Sequence, residues 1–175
     1  MRQSVQELIE RYQNNLYAIA FNICKNPSDA QDVVQDTFIQ YYTSKKEFKD
    51  EQHLRAWLIR VAINKSKNMT LTFWHQHKVS MYSSKETFWH QHKVSLEEYM
   101  ETLTFETPES ENLFEEVMKL PKKYRIVIHL FYYEDYSVKE IAEILKLSQS
   151  NVKVRLSRAR ALLKESLNGE WNYDE

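Results

Sequence analysis

Between Gln149 and Lys164 the chain carries Lys153, Arg155, Arg158, Arg160 and Lys164 and no acid at all. Cations left without counter-ions over four helical turns suit contact with a polyanion, because a face kept only for solubility mixes both signs. Val152, Leu156, Ala159 and Leu163 recur at helical spacing and predict a buried stripe. The other side holds Asn151, Val154, Ser157, Arg158 and Ala161, with Lys153, Arg155 and Arg160 on its flanks. Small outward residues allow a backbone to approach closely, and flanking cations reach phosphates.

Positioning such a face requires a second element. Ser137 with Glu140 forms an S-x-x-E capping box ahead of Val138, Ile141, Ala142 and Leu145, which predicts a short amphipathic helix. Lys146-Leu147-Ser148 forms the break, with Ser148 as the next cap. A short helix, a tight turn and a basic second helix match a helix-turn-helix, whose second helix enters the DNA major groove. A helical hairpin with a solvated basic face is the plain alternative.

The 175 residues allow one domain or two small ones. One glycine and three prolines disfavour a turn-rich β protein and favour an all-α chain. One cysteine, Cys24, excludes an internal disulfide and suits a reducing cytosol. No run of about 18 apolar residues is present to span a membrane, and MRQSVQELIERYQ lacks a signal peptide's apolar segment. The net charge of −1 argues at first against nucleic acid, but the charges are segregated. Lys119–Glu165 holds 11 basic against 5 acidic residues and Lys45–Lys67 holds 7 against 3, while Glu97–Glu116 holds 8 acids and no base. Two basic blocks separated by an acidic one offer two phosphate-facing surfaces.

In chain order, Ser4 to Asn22 predicts an amphipathic helix with Val5, Leu8, Ile9, Tyr12, Leu16 and Ile19 on one side. A second helix is expected from Ser28, boxed with Gln31, to about Tyr42, burying Ala30, Val33, Val34, Thr37, Phe38 and Tyr41. Asp32, Gln35, Asp36 and Ile39 line a different face of it. Lys45–Asp50 reads as a charged loop with one aromatic, Phe48, open to stacking on a base. His53 to Asn68 predicts a third helix, with Leu54, Trp57, Leu58, Val61 and Ala62 inward and Arg60, Asn64, Lys65, Lys67 and Asn68 outward. TFWHQHKVS then occurs twice, at Thr72–Ser80 and Thr87–Ser95. Two copies are too few for a solenoid and suggest a segmental duplication in a tolerant linker. His75, His77, His90 and His92 offer four imidazoles, but nothing else supports a metal site, and no metal or cofactor is expected. Acids then lead into a helix from about Ser110 to Met118, and Leu120-Pro121 opens another, with Ile126, Val127, Leu130 and Phe131 inward.

Taken together, DAQDVVQDTFIQYY, LRAWLIRVAINKSKN and LPKKYRIVIHLFYYEDYSVKEIAEILKLSQSNVKVRLSRARALL resemble regions 2.2, 2.3–2.4 and 4 of the extracytoplasmic-function (ECF) sigma factors of bacterial RNA polymerase. The helix-turn-helix string alone occurs elsewhere; its pairing with DA-x-D-x-x-Q-[DE]-x-F at this separation is specific. The resemblance implies two small helical domains: region 2 at 1–70, a linker at 71–109, region 4 at 110–168 and a tail at 169–175. It implies cytoplasmic promoter recognition without catalytic residues. The partners it implies are core RNA polymerase (the clamp coiled coil of the largest subunit and the flap of the second-largest), promoter DNA and an anti-sigma factor, soluble or membrane-bound. Asp32, Gln35, Asp36 and Ile39 fall where the polymerase contact is made. Lys46, Phe48, Lys49, Arg60, Asn64 and Lys65 fall where the minus-10 element is melted. Lys153, Val154, Ser157 and Arg158 should face minus-35 bases or adjacent phosphates, and Asn151, Arg155 and Arg160 should clamp the backbone. Lys146 departs from the glycine frequent in the family's turn and must adopt the turn conformation itself. The repeat has no counterpart there. A free-standing dimeric helix-turn-helix regulator and a histidine-based metal sensor are the competing readings; the first gives the Asp32–Ile39 face and the second basic block no role. No paired carboxylates, Ser/His/Asp set or glycine-rich phosphate loop suggests an enzyme.

Overall fold

The structure is a computed structural model that describes residues 3–77 and 108–171, with side chains for 3–71 and 109–167. The described residues are helical throughout, apart from short connections, and fall into two compact units.

The first unit packs α1 (Val5–Cys24), α2 (Pro27–Thr43) and α3 (Glu51–His77) pairwise against one another. Ser4 caps α1 through a full box: its Oγ accepts from the Glu7 N–H at 3.2 Å, and its own N–H donates to Glu7 Oε2 at 3.1 Å. Lys25 ends the helix in the left-handed region, φ 53°, with its N–H on Phe21 O at 2.8 Å. The cap of α2 is Asn26 rather than Ser28, its Oδ1 accepting from the Asp29 N–H at 3.0 Å. Pro27 accounts for the difference: at the first helical position its missing N–H costs nothing and its fixed φ suits the helix. Likewise α3 starts two residues before His53, because Asp50 Oδ1 accepts from the His53 N–H at 2.7 Å. It continues through residues 72–77 of the first repeat copy. The rest of that copy, the second copy with Trp89, His90 and His92, and the acids at 97–106 lie outside the described residues.

Leu8, Leu16 and Ile19 of α1, Ala30, Val33 and Thr37 of α2, and Leu54, Leu58 and Ala62 of α3 form the core. Ile59 and Ile63, absent from the expected stripe, are also buried, since α3 is covered by α1 and α2 together. Ile9, expected inside, is exposed. Tyr12 donates to Glu51 Oε1 at 2.8 Å and Arg11 Nη1 donates to the same oxygen at 2.5 Å, tying α1 to the start of α3.

The second unit comprises α4 (Pro108–Lys119), α5 (Lys122–Ile128) with its π-helical continuation His129–Tyr133, α6 (Val138–Leu145) and α7 (Gln149–Trp171). Arg125 is buried and donates to Leu120 O at 2.8 Å and Met118 O at 3.3 Å, where the last carbonyls of α4 have no helical acceptor role left. Burial brings this guanidinium down to about 10, so it stays charged at neutral pH. The π turn shifts the register, which leaves Phe131 half-buried where a continuous helix would have buried it. Glu116, the last acid of the linker run, is buried and bonded by Lys119 and Ser166, so it belongs to the folded unit. Ser137 and Glu140 form the expected box around α6, and Ser148 Oγ accepts from the Asn151 N–H at 3.1 Å to cap α7. Lys146 takes the left-handed turn, φ 54° and ψ 48°. Among the described residues no helix is long and apolar enough to cross a membrane.

A lysine in that turn stores roughly 1–2 kcal/mol of backbone strain, part of which glycine returns through a freer unfolded chain. Lys146→Gly should therefore raise the stability of the second unit by about 0.5–1 kcal/mol, read from the urea midpoint. A lower midpoint would mean that the lysine side chain compensates. Hydrogen bonds from Tyr12 and Arg11 hold the Glu51 carboxyl below its ordinary range, and those from Lys119 and Ser166 do the same for Glu116. Both groups bind protons more readily unfolded, so their contribution is present above the ordinary glutamate value and disappears as pH falls through the lower folded values. Thermal melts should drop in acid through that window, and Glu51→Gln should flatten the first unit's decline.

Candidate interaction and nucleic-acid surfaces

Three surfaces can be built from these elements. The first lies on α2. Once Ala30, Val33, Thr37 and Phe38 face inward, the helical period turns Asp32, Gln35, Asp36 and Ile39 outward, and all four are exposed. Ile39 is 59% exposed and Tyr42, one turn on, 69%. Beside them Val5, Ile9, Val34 and Phe38 line an apolar groove of about 420 Å³. The sequence stripe assigned Ile9 to the core and gave Tyr42 no role. The Ile39/Tyr42 spacing on an otherwise acidic face was the signal available for it. Exposed apolar side chains rimmed by carboxylates mark a protein-binding surface.

The second surface joins the 44–50 loop to α3. Phe48 does not extend into solvent. It is 4% exposed, lies 6.0 Å from the Tyr41 ring, and meets Trp57 and His53 edge-on at 5.4 and 5.5 Å. The loop is short and its other side chains are charged, so its one aromatic is what anchors it to the core. Trp57, expected inside, is only half-buried, and the Lys46 ammonium lies 5.9 Å over its ring. Trp57, Arg60 and Asn64 share one side of α3 at spacings of three and four. Lys49 and Asn64 are exposed, and Arg60 and Lys65 half-buried. Lys46, Trp57, Arg60 and Asn64 thus form a cationic surface with one accessible ring, while Phe48 lies beneath it.

The third surface is α7. Val152, Leu156 and Ala159 are buried. Asn151, Lys153, Val154, Ser157 and Arg158 are exposed, and Val154 is 47% exposed at the centre of the outward face. Arg155 is half-buried, its Nε donating to Asn151 Oδ1 at 2.8 Å. Arg158 stands beside the Tyr124 hydroxyl and, above all other groups, holds it below the ordinary phenol value. Arg160 points elsewhere: its Nε donates to Tyr132 OH at 2.7 Å, and its guanidinium lies 5.5 Å over Phe131. There it borders a second apolar groove of about 390 Å³ with Leu113, Val117, Ile128, Tyr133 and Leu163. Phe131 and Tyr132, directly after Leu130, place two rings and a hydroxyl within reach of Arg160. Among the described residues no group of three or more His, Cys, Asp or Glu is placed to hold a metal ion.

The family model for Sigma-70 region 2 matches residues 8–71, and that for Sigma-70, region 4 matches residues 110–163. The chain is similar to the ECF RNA polymerase sigma factor SigW of Bacillus subtilis, 26% identical over 167 residues that cover 92% of this chain and 87% of SigW. It is 29% identical to the RNA polymerase sigma factor YlaC of the same organism, covering 95% and 93%. In fold it is similar to the sigma factor RpoE solved with the anti-sigma factor NepR from Bartonella quintana, with a TM-score of 0.68, 20% identity and 97% of each chain covered. It is also similar to CnrH solved with the cytosolic domain of CnrY, with a TM-score of 0.61, 25% identity and 94% and 88% covered.

Phe48 buries a whole ring among Tyr41, Trp57 and His53, so Phe48→Ala should destabilise the first unit by about 3–5 kcal/mol. Urea unfolding followed by tryptophan fluorescence measures this. An unchanged midpoint, with promoter opening lost, would restore Phe48 to a base-stacking role.

Proposed function

The chain belongs to the sigma-70 family as an ECF sigma factor that directs transcription initiation by RNA polymerase, and from that premise we propose how its two units divide the work. The observation that carries the reading is the coexistence, in one chain, of an acidic and apolar face on α2 with an acid-free cationic face on α7.

Asp32, Gln35, Asp36 and Ile39 dock on the clamp coiled coil of core polymerase. An apolar groove on the helix that also exposes Asp32 and Asp36 suits an amphipathic helix bearing basic flanks. Ile39 and Tyr42 supply desolvated contact area, and the two aspartates set orientation and on-rate. Lys46, Lys49, Arg60, Asn64 and Lys65 hold the displaced minus-10 strand. Extruding a base costs a few kcal/mol, which a rigid pocket and phosphate contacts offset. Phe48 serves this step from beneath, by holding the loop to Tyr41 and Trp57 before DNA arrives. Asn151, Lys153, Val154, Arg155, Ser157 and Arg158 read or clamp the minus-35 duplex. Arg160, held on Tyr132, borders the groove that suits the polymerase flap. The sigma factor RpoE was solved with the anti-sigma factor NepR, and an anti-sigma factor covering these faces would hold this chain inactive. The chain acts in the cytoplasm and contributes no catalytic group, since the polymerase makes the RNA.

Run-off transcription with purified core polymerase tests the reading. Asp36→Lys should abolish core binding and run-off product while leaving the helical circular dichroism unchanged. Wild-type affinity for core polymerase in this variant would remove the α2 face from the contact.

A further inference from the structure

One flank of α7 faces a cleft that the helix-turn-helix alone does not make. Lys123 and Tyr124, at the start of α5, lie opposite Ser150, Asn151, Val154, Arg155 and Arg158, and together they enclose about 410 Å³. Among the described residues no acidic side chain lines it. Tyr124 is buried, so its ring is held by the core while its hydroxyl edges the cleft. The Lys123 ammonium lies 5.0 Å over its ring, and Arg158 lines the same cleft beside its hydroxyl. Arg155 is held on the cleft wall by Asn151. Three cations therefore converge on one concavity, two of them already oriented by neutral partners.

The dimensions of a duplex indicate what fills it. The major groove is about 12 Å wide, and a helix with its side chains is about 10–12 Å across. A recognition helix centred on Val154 and Ser157 thus fills the groove and presses both flanks against the sugar-phosphate walls. The Asn151–Arg155–Arg158 flank carries this cleft; Lys153 and Arg160 lie on the opposite flank. We infer that the cleft binds a backbone phosphate of the minus-35 duplex, with Lys123 and Tyr124 of α5 as contacts outside the helix-turn-helix and Arg158 held at the strand edge rather than at a base. The inference rests on the promoter-binding reading above and deepens it. Tyr124 is a positioning residue: with its ring held by the core, Arg158 enters the complex already turned toward the phosphate. Ordering a free arginine would otherwise oppose binding.

The test uses holoenzyme reconstituted from the full chain and core polymerase, and a duplex that the wild-type holoenzyme selects from a library randomised at minus-35. Lys123→Ala, an exposed change, should lower the slope of log affinity against log salt by about 0.9, as expected for one lost phosphate contact. The loss should be the same on the selected and on scrambled minus-35 sequences. Tyr124→Phe keeps the ring and should weaken binding in a way that is not additive with Arg158→Ala, because both act through one contact. An unchanged slope for Lys123→Ala would overturn the cleft alone, as would a shift in preference at a single base position in Arg158→Ala. A wild-type holoenzyme that enriches no minus-35 sequence would overturn the promoter reading, and the cleft with it.

Discussion

Helix α7 can bury only a narrow stripe. Val152, Leu156 and Ala159 pack inward against α5 and α6, and α6 is set at its angle by the Lys146 turn. That packing fixes the rotation of α7 about its own axis. From Gln149 to Lys164 the side chains left outside the stripe are neutral or cationic, and the first acid of the helix, Glu165, comes only after them. Such a face is stable in water but incomplete, and a polyanion of matching curvature completes it. The rest of the second unit serves this rotation. Arg125 closes the end of α4, the π turn after Ile128 re-aims the tyrosines, and the Ser137 box starts α6 at a defined residue.

The first unit applies the same logic with the opposite sign. Packing Ala30, Val33 and Thr37 inward leaves Asp32, Asp36 and Ile39 on the free side of α2. An acidic and apolar face repels DNA and suits a protein. The cationic surface of this unit is instead formed where the 44–50 loop meets α3. There a cluster of Tyr41, Phe48, Trp57 and His53 holds the loop backbone, so the lysines and Trp57 project from a preorganised base. A sigma factor must hold polymerase and separate strands at the same time, and a unit with two faces of unlike charge can do both.

The elements governed by local rules were legible in the sequence. The Ser137–Glu140 capping box, the position of the left-handed Lys146 and the outward set on α7 follow from spacing alone, because each depends on neighbours within one helical turn. What was not legible depends on contacts distant in the chain. Phe48 reads as a lone aromatic in a charged loop until α3 folds beneath it. Arg160 is one of several cations until the π turn places Tyr132 beside it, and Tyr124 has no assigned role until the fold sets it beside Arg158 in one cleft. Ile9 illustrates the limit of periodicity: its apolar stripe is wider than the surface that α2 and α3 cover, and its outer edge becomes part of a groove.

The central claim is that one unit grips closed duplex while the other holds opened strands against polymerase. Permanganate reactivity of thymines on a promoter bound by the reconstituted holoenzyme tests it most directly. Reactive thymines confined to the minus-10 element, with the minus-35 element protected and unreactive, are the predicted result. Reactivity absent at minus-10, or duplex protection by the chain equally strong without core polymerase, would contradict it.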